Sequence, residues 1–500
     1  MFNRAAMISI SSLCMAFLPI KALAITLEEA TYTAIENSPD VKQTIAQYRE
    51  SKENTDLARR SGYYPTVDLA AGIGHETTYE DDDSTSGDVS LTRRELTLSL
   101  NQPLFNGFST QNEIDRLASE AEADRWSALI SVESTALEVA ETYSNVLRQR
   151  ELLALADLNL EAHLRIHEQI KLKTDSGIGR KSDLSQISAR LSKAHSNNLA
   201  AINNLRDAES NYKSIVGEFP PESLIYPVPD QALIPTDLDT AIADALKRNP
   251  AIEGAYWDLM ATESLQKATD AGKYPVVNFV LERTWNNNLD GDEGPSEDLL
   301  AMVRLNYNIY SGGSFKREKE VAAQQNIQAA EIQRNTIRDT ELTVRLAWAA
   351  YQATKGQKEH IRQYVISTKE SQIAYEKQFR LGRRTLLDVL DSENELFEAR
   401  QDYVNTDYDE LFSEFRLFSA KGELMRAFRI YRPELLGFND AFDEKGSLIE
   451  KSGAIEALQE TENAASTQNQ TSTQLAPSDT SSEVKESDLF LESDTTGKNW

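Results

Sequence analysis

Three sets of residues have types and spacings that bear on chemistry. His163 and His167 lie one turn apart in a stretch that reads as helix, a spacing at which two imidazoles can share a metal. No HExxH run or nearby cysteine accompanies them, so the pattern predicts exposed helix residues. Asn286, Asn288, Asp290, Gly291, Asp292 and, as twelfth residue, Glu297 imitate the oxygen ligands of an EF-type calcium loop. Position one is Asn rather than Asp, and the flanks alternate as strands do, so the expectation is an acidic surface loop, with no metal. Asp388 and Asp391 are three residues apart, which sets both carboxylates on one helix face. By itself such a pair reads as a solvated face. The chain holds no nucleophile elbow, phosphate loop or dinucleotide fingerprint, so neither catalysis nor a cofactor is expected.

The compartment is legible at the start of the chain. Arg4, the short apolar run from Met7 to Leu18 and the small-x-small trio Ala22-Leu23-Ala24 predict a cleaved signal peptide over 1–24. The run is shorter than the roughly 20 apolar residues a spanning helix needs. Cys14 is the single cysteine and lies inside that signal, preceded by Leu13 where a lipid-anchor site wants a small residue. The mature chain is therefore expected to lack both disulfide and acyl anchor. A net charge of −28 argues against a nucleic-acid partner, which needs Lys and Arg to neutralise phosphates. No later stretch approaches a spanning helix, so a membrane crossing would have to use strands.

The elements that position these residues come in two copies. Leu27 to Pro39 (LEEATYTAIENSP) matches Leu238 to Pro250 (LDTAIADALKRNP), and Gly62-Tyr63-Tyr64-Pro65 pairs with Gly272-Lys273-Tyr274-Pro275. Beyond these, one offset relates Gly107 to Gly312, Gly177 to Gly382, Asp183 to Asp388 and Gly217 to Gly422. A fixed offset over such a distance marks a duplication. Each copy opens with a helix (27–61 and 238–271) and continues with two alternating stretches, such as Val67, Leu69, Ala71 and Ile73, or Val303, Leu305, Tyr307 and Ile309. Acidic loops separate the paired strands, Glu80 to Asp83 in one copy and Asp290 to Asp298 in the other. Long proline-free stretches follow, Ser109 to Thr174 and Ser314 to Arg380, each about 100 Å as helix. Seven-residue spacing of Leu390, Phe397, Val404, Leu411 and Phe418, of Leu184, Leu191, Leu205 and Tyr212, and of Ala330, Ile337, Val344 and Tyr351, with Ile327 and Trp348 on the same seam, predicts coiled coil. The expected organisation is a first repeat at 25–227, a proline-rich linker at 228–237, a second repeat at 238–431, and an acidic low-complexity tail at 432–500, read as disordered.

Four strands are too few for a membrane barrel, which starts at about eight. They must close with those of other chains, and three copies give twelve. With the paired N-terminal helix starts, Gly107-Phe108, Gly312-Gly313 and the segment Phe379 to Asp391 (FRLGRRTLLDVLD), the chain resembles the TolC family of outer-membrane efflux and secretion channels over residues 25 to 430. The resemblance implies an α+β membrane protein. It would be a homotrimer with a 12-stranded transmembrane β-barrel in outer-membrane lipid and a long α-helical coiled-coil tunnel in the periplasm. It also implies rings of Asp388 and Asp391 at a closed periplasmic gate, where crowding would raise their pKa values. Arg384 and Asp183 match gate-locking links, and Phe379 stands where members often have tyrosine and cannot donate that hydrogen bond. The turns at Gly177, Ile178 and Gly179 and at Leu381, Gly382 and Arg383 match tips that dock a periplasmic adaptor (membrane fusion) protein. The tail and N-terminus are similar to type I protein-secretion members, including adhesin exporters, whose inner-membrane transporter is of ABC type. Drug or small-molecule efflux is the alternative cargo, and a soluble periplasmic coiled-coil scaffold is the alternative of another class.

Overall fold

A computed structural model describes residues 24–79 and 88–430. The expected signal peptide up to residue 23, the acidic run Glu80 to Asp83 and the tail beyond 430 lie outside the described residues.

Each copy begins with two helices where the sequence suggested one. Helix α1 (Leu27–Asn37) starts at Thr26, whose Oγ1 accepts from the Glu29 amide at 3.2 Å while Glu29 Oε2 accepts from the Thr26 amide at 3.1 Å. This reciprocal cap satisfies two amides that the helix cannot. The helix stops at Ser38 because Pro39 lacks an N–H and its ring drives the preceding residue out of the helical region. Ser38 accordingly has ψ 123°, and α2 (Pro39–Tyr63) starts afresh. The second copy repeats this break at Asn249, between α5 (Leu238–Arg248) and α6 (Pro250–Thr269).

Strands β1 (Thr66–Thr78), β2 (Val89–Phe105), β3 (Val276–Leu289) and β4 (Asp292–Asn306) form one antiparallel sheet in chain order. Val67 faces Leu100, Leu100 faces Leu281, and Leu281 faces Ala301. Period two then gathers Val67, Leu69, Leu98, Phe279 and Val303 on one face and Asp68, Glu95, Glu282 and Asp298 on the other. The apolar face is open, with Ile73 at 77% exposure. Among the described residues, the outer edges of β1 and β4 have no strand beside them.

The second acidic loop proves shorter than expected. Asp290 and Gly291, at φ 55° and 88°, form a two-residue hairpin turn, which takes positive φ at both positions. Asp292 through Asp298 therefore belong to β4, whereas Tyr307 and Ile309, expected in the strand, fall beyond its end.

The strands hand over to the helices at paired left-handed corners, Gly107 and Phe108 in one copy and Gly312 and Gly313 in the other. Helices α3 (Ser109–Asp175) and α7 (Ser314–Arg380) are 67 residues each, and α4 (Lys181–Val216) and α8 (Leu386–Lys421) fold back along them. All five heptad residues on α8 are buried. On α7, Val344 and Tyr351 are buried but Ile327 is 54% exposed, and Val321, Ile332, Leu342 and Leu346 along the same helix are also open. One chain leaves that stripe uncovered.

The main core lies where α1, α3, α4 and α8 meet the short helix α9 (Leu424–Ala427). Tyr143 pins the start of the first repeat to the stretch that leads into the linker. Its hydroxyl sits 2.8 Å from the Ile25 carbonyl and 2.7 Å from the Ile225 carbonyl and accepts from the Ile225 amide at 2.9 Å. Burial pushes its pKa up. Tyr143→Phe would remove all three hydroxyl contacts, leaving the Ile225 amide only its 3.3 Å bond to the Ile25 carbonyl, and is expected to lower stability by about 1–2 kcal/mol, measured as a shift in the urea unfolding midpoint. Beside this core, Lys421 and Glu423 are each 3% exposed at the side chain and 2.7 Å apart. Asp244 approaches Lys421 at 3.3 Å, and Arg248 and Arg426 also pair with Glu423.

Candidate functional site

The expected gate residues gather at the free ends of the two helical hairpins. The turns there are copies of each other. Past α3, Gly177 adopts φ 77°, and the Ile178 and Gly179 amides donate to the Lys173 carbonyl at 3.0 and 2.8 Å. Past α7, Gly382 adopts φ 72°, and the Arg383 amide donates to the Gln378 carbonyl at 2.9 Å. Such backward bonds satisfy the last carbonyls of a helix and need a residue free to turn left-handed. A Cβ on Gly179 would fall 2.8 Å from the Thr174 amide nitrogen. The turns hold Ile178 at 84% and Leu381 at 72% exposure, with Arg383 also open.

Just inside the tips, Ile170, Ile187, Leu386 and Leu390 form a small apolar plug joining the two hairpins. Phe379 packs against it, and Lys173 Nζ lies 5.5 Å from its ring centre. Its ring therefore contributes packing and a cation–π contact rather than a hydrogen bond.

Asp388 occupies the first turn of α8, three residues after the N-cap Thr385. Asp388 Oδ2 accepts from the Thr385 amide at 2.9 Å and from its hydroxyl at 2.8 Å, and Arg384 lies 3.5 Å away. These contacts, the Thr385 amide foremost, hold the Asp388 carboxyl below its ordinary pKa. Within one chain the shift is thus opposite to the rise expected from crowding, because the cap favours the charged form. Asp391, one turn on, accepts from Arg190 Nη2 of α4 at 2.8 Å.

Arg384 stays within its own hairpin. Its guanidinium lies 4.2 Å over Tyr375 and donates to Gln378 Oε1 at 3.1 Å. Asp183, also in a first helical turn, accepts from the Ser182 hydroxyl at 3.2 Å. The fold therefore brings Asp388, Asp391 and Arg384 together and leaves Asp183 on the other hairpin. Sequence reasoning missed Arg190. Its signal was present, since Arg190 follows the buried Ile187 by three residues and Asp391 adjoins the buried Leu390, so both flank the seam.

The metal-like spacings resolve differently. His163 is buried rather than exposed, with Nδ1 2.9 Å from the Asn159 carbonyl of its own helix, because its face of α3 packs inward. Around the hairpin turn Asp290 pairs with Arg93, Glu297 with Arg283, and Asn288 Oδ1 accepts from the Gly294 amide. These side chains serve strand contacts and do not converge. Among the described residues no cluster is arranged to hold a metal ion.

Long helical hairpins hung from a sheet with one apolar and one polar face define an outer-membrane channel subunit. The chain belongs to the outer membrane efflux protein family, whose family model matches residues 30–218 and 241–423. It is 25% identical to the outer membrane efflux protein BepC of Brucella suis over 411 residues, covering 81% of this chain and 86% of that protein. It is 24% identical to the outer membrane protein TolC of Escherichia coli over 423 residues, 82% of this chain and 83% of that one. Its fold matches the Campylobacter jejuni CmeC outer membrane channel with a TM-score of 0.70 at 15% identity, covering 80% of this chain and 86% of that one. The protein is thus an outer-membrane efflux channel of the TolC type whose helices run into the periplasm, and the soluble-scaffold alternative gives way.

Proposed function

We propose that three copies of this chain close one barrel and one tunnel, forming a passive duct whose periplasmic end is gated by Asp388 and Asp391. The observation that carries this is the four-stranded sheet whose two edges have no strand beside them among the described residues, since only closure satisfies every backbone group in lipid. The uncovered apolar stripe of α7 supports it independently, because neighbouring copies would bury that surface. The exposed tips at Gly177, Ile178, Gly179, Leu381, Gly382 and Arg383 then meet a periplasmic adaptor, which couples the duct to an inner-membrane transporter.

The cargo we propose is exported protein, including adhesins, delivered by an ABC-type transporter as in type I secretion; the Ser-, Thr- and acid-rich tail supports this reading. Small toxic molecules are the second reading, favoured by relatives such as the toluene efflux pump outer membrane protein TtgI of Pseudomonas putida. Deleting the gene separates them. Loss of a protein from the culture medium supports the first, and solvent or drug sensitivity with unchanged medium proteins supports the second. For the gate, purified protein in a planar bilayer under a salt gradient is expected to form a cation-preferring pore. Replacing Asp388 and Asp391 together by alanine should weaken that preference, and an unchanged reversal potential would sink the gate assignment.

A further inference from the structure

The contact between Arg190 and Asp391 has consequences beyond holding two side chains together. Arg190 on α4 and Asp391 on α8 belong to different hairpins, and their 2.8 Å contact crosses the seam directly above the apolar plug. The side chains are 37% and 56% exposed, so any single pair is a weak tie. Three symmetric copies that must break together multiply its effect.

The internal repeat shows that this tie exists at one kind of junction only. The counterpart of Arg190 in the second copy is Glu395, and the counterpart of Asp391 in the first is Gln186. Around a closed tunnel, repeat symmetry sets Glu395 of one copy beside Gln186 of the next, a combination that cannot form an ion pair. Asp388 differs again, because its partners Thr385 and Arg384 lie on its own hairpin and travel with it.

We propose that Arg190 is both a lock and a charge mask for the gate, an inference that rests on the trimeric duct with its aspartate rings. With the hairpins together, three Arg190 side chains cancel the three Asp391 carboxylates, and the resting pore keeps the cation preference of Asp388, whose own Arg384 lies farther off at 3.5 Å and stays beside it whether the hairpins meet or part. When the hairpins part, Asp391 loses its partner and a second acidic ring comes into force. Opening then changes which ions pass as well as how many. Arg190 is a specificity-determining residue that acts through Asp391.

Single-channel recording of the detergent-extracted full-length protein under a potassium chloride gradient tests both halves. Arg190→Ala is expected to raise resting conductance about tenfold, three weak ties being lost at once, and to move the reversal potential further toward the cation value. Asp391→Asn should raise conductance similarly but move the reversal potential the other way, because three Arg190 charges are left uncovered. The exchange R190D/D391R restores the tie and should return the small resting conductance, which separates a lost contact from a damaged fold. Wild-type conductance and reversal potential in Arg190→Ala, alongside a clear effect of Asp388→Asn, would overturn the proposal while leaving the duct standing. An Asp388→Asn channel with unaltered selectivity would instead remove the aspartate-ring reading, and the masking role with it.

Discussion

Glu423→Ala is expected to lower stability by about 3 kcal/mol, because it leaves the buried Lys421 charge with a single, more distant carboxylate. Lys421 Nζ is held by Glu423 at 2.7 Å, by the Leu233 carbonyl at 3.1 Å and by Asp244 at 3.3 Å. Removing the nearest carboxylate also strands Arg248 and Arg426, which both bind Glu423. Those arginines reach water and can re-solvate, whereas Lys421, 3% exposed at the side chain, cannot. The urea midpoint reads the loss, and a shift below half a kcal/mol would show that water enters the site. The pH dependence carries a sign of its own. Burial alone would raise the Glu423 pKa, but the Lys421 hydrogen bond and the charges of Lys421, Arg248 and Arg426 hold it below the ordinary value. A depressed carboxyl contributes its full stability above the unfolded pKa of about 4.3 and loses it as pH falls through the folded value. The stability gap between wild type and Glu423→Gln should therefore be widest near neutrality and narrow below about pH 4.

The second large effect is expected at the residue between those two. Gly422 ends α8 at φ 70°, and a Cβ there would lie 2.8 Å from Asn249 Cα and 2.9 Å from the Arg248 carbonyl oxygen. Both contacts are backbone at the α5–α6 break, so no side chain can swing aside. Gly422→Ala thus adds a collision to the ordinary strain of a left-handed residue, together about 3–5 kcal/mol. The duplication supplies the control. Gly217 ends α4 at φ 95°, yet a Cβ there would meet only Asn37 Nδ2 at 3.9 Å. Gly217→Ala should cost about 1–2 kcal/mol, the strain alone. Equal losses for the two variants, measured as unfolding midpoints, would show that space at Gly422 is not what matters.

Much of this architecture is visible to periodicity. The two longest helices were legible because proline-free stretches with a seven-residue seam have few alternatives, and the predicted ends near 174 and 380 fall within a residue of the observed ones. What periodicity missed is local backbone chemistry. Pro39 and Pro250 cut the leading helices through a steric effect that an apolar pattern does not register. The acidic stretch after Asp290 reads as a loop by its charge, whereas the Asp290-Gly291 pair is itself a hairpin-turn signal that lets the strand begin at Asp292. His163 was misplaced because a long helix packed on several neighbours has no single outside. At the tips, the sequence showed Asp388 and Asp391 as equivalent carboxylates. Folding makes them unlike, since one caps its own helix and the other reaches Arg190 across a gap of some 200 residues of chain, a pairing no local pattern encodes.

The sheet also dictates an order of events. Pairing β2 with β3 closes a loop containing both hairpin helices of the first copy and the α5–α6 pair, whereas α3 with α4 and α7 with α8 need only fold back on themselves. Contacts of short sequence separation form fastest and long loop closures last. The coiled-coil hairpins should therefore zip up while the sheet is still incomplete, its apolar face and two bare edges ready to stick to any other strand. A chain waiting in water at that stage is an aggregation hazard, so lipid and sister chains must arrive together. Assembly and membrane insertion then become one kinetic step, and that step sets the speed at which working channels accumulate.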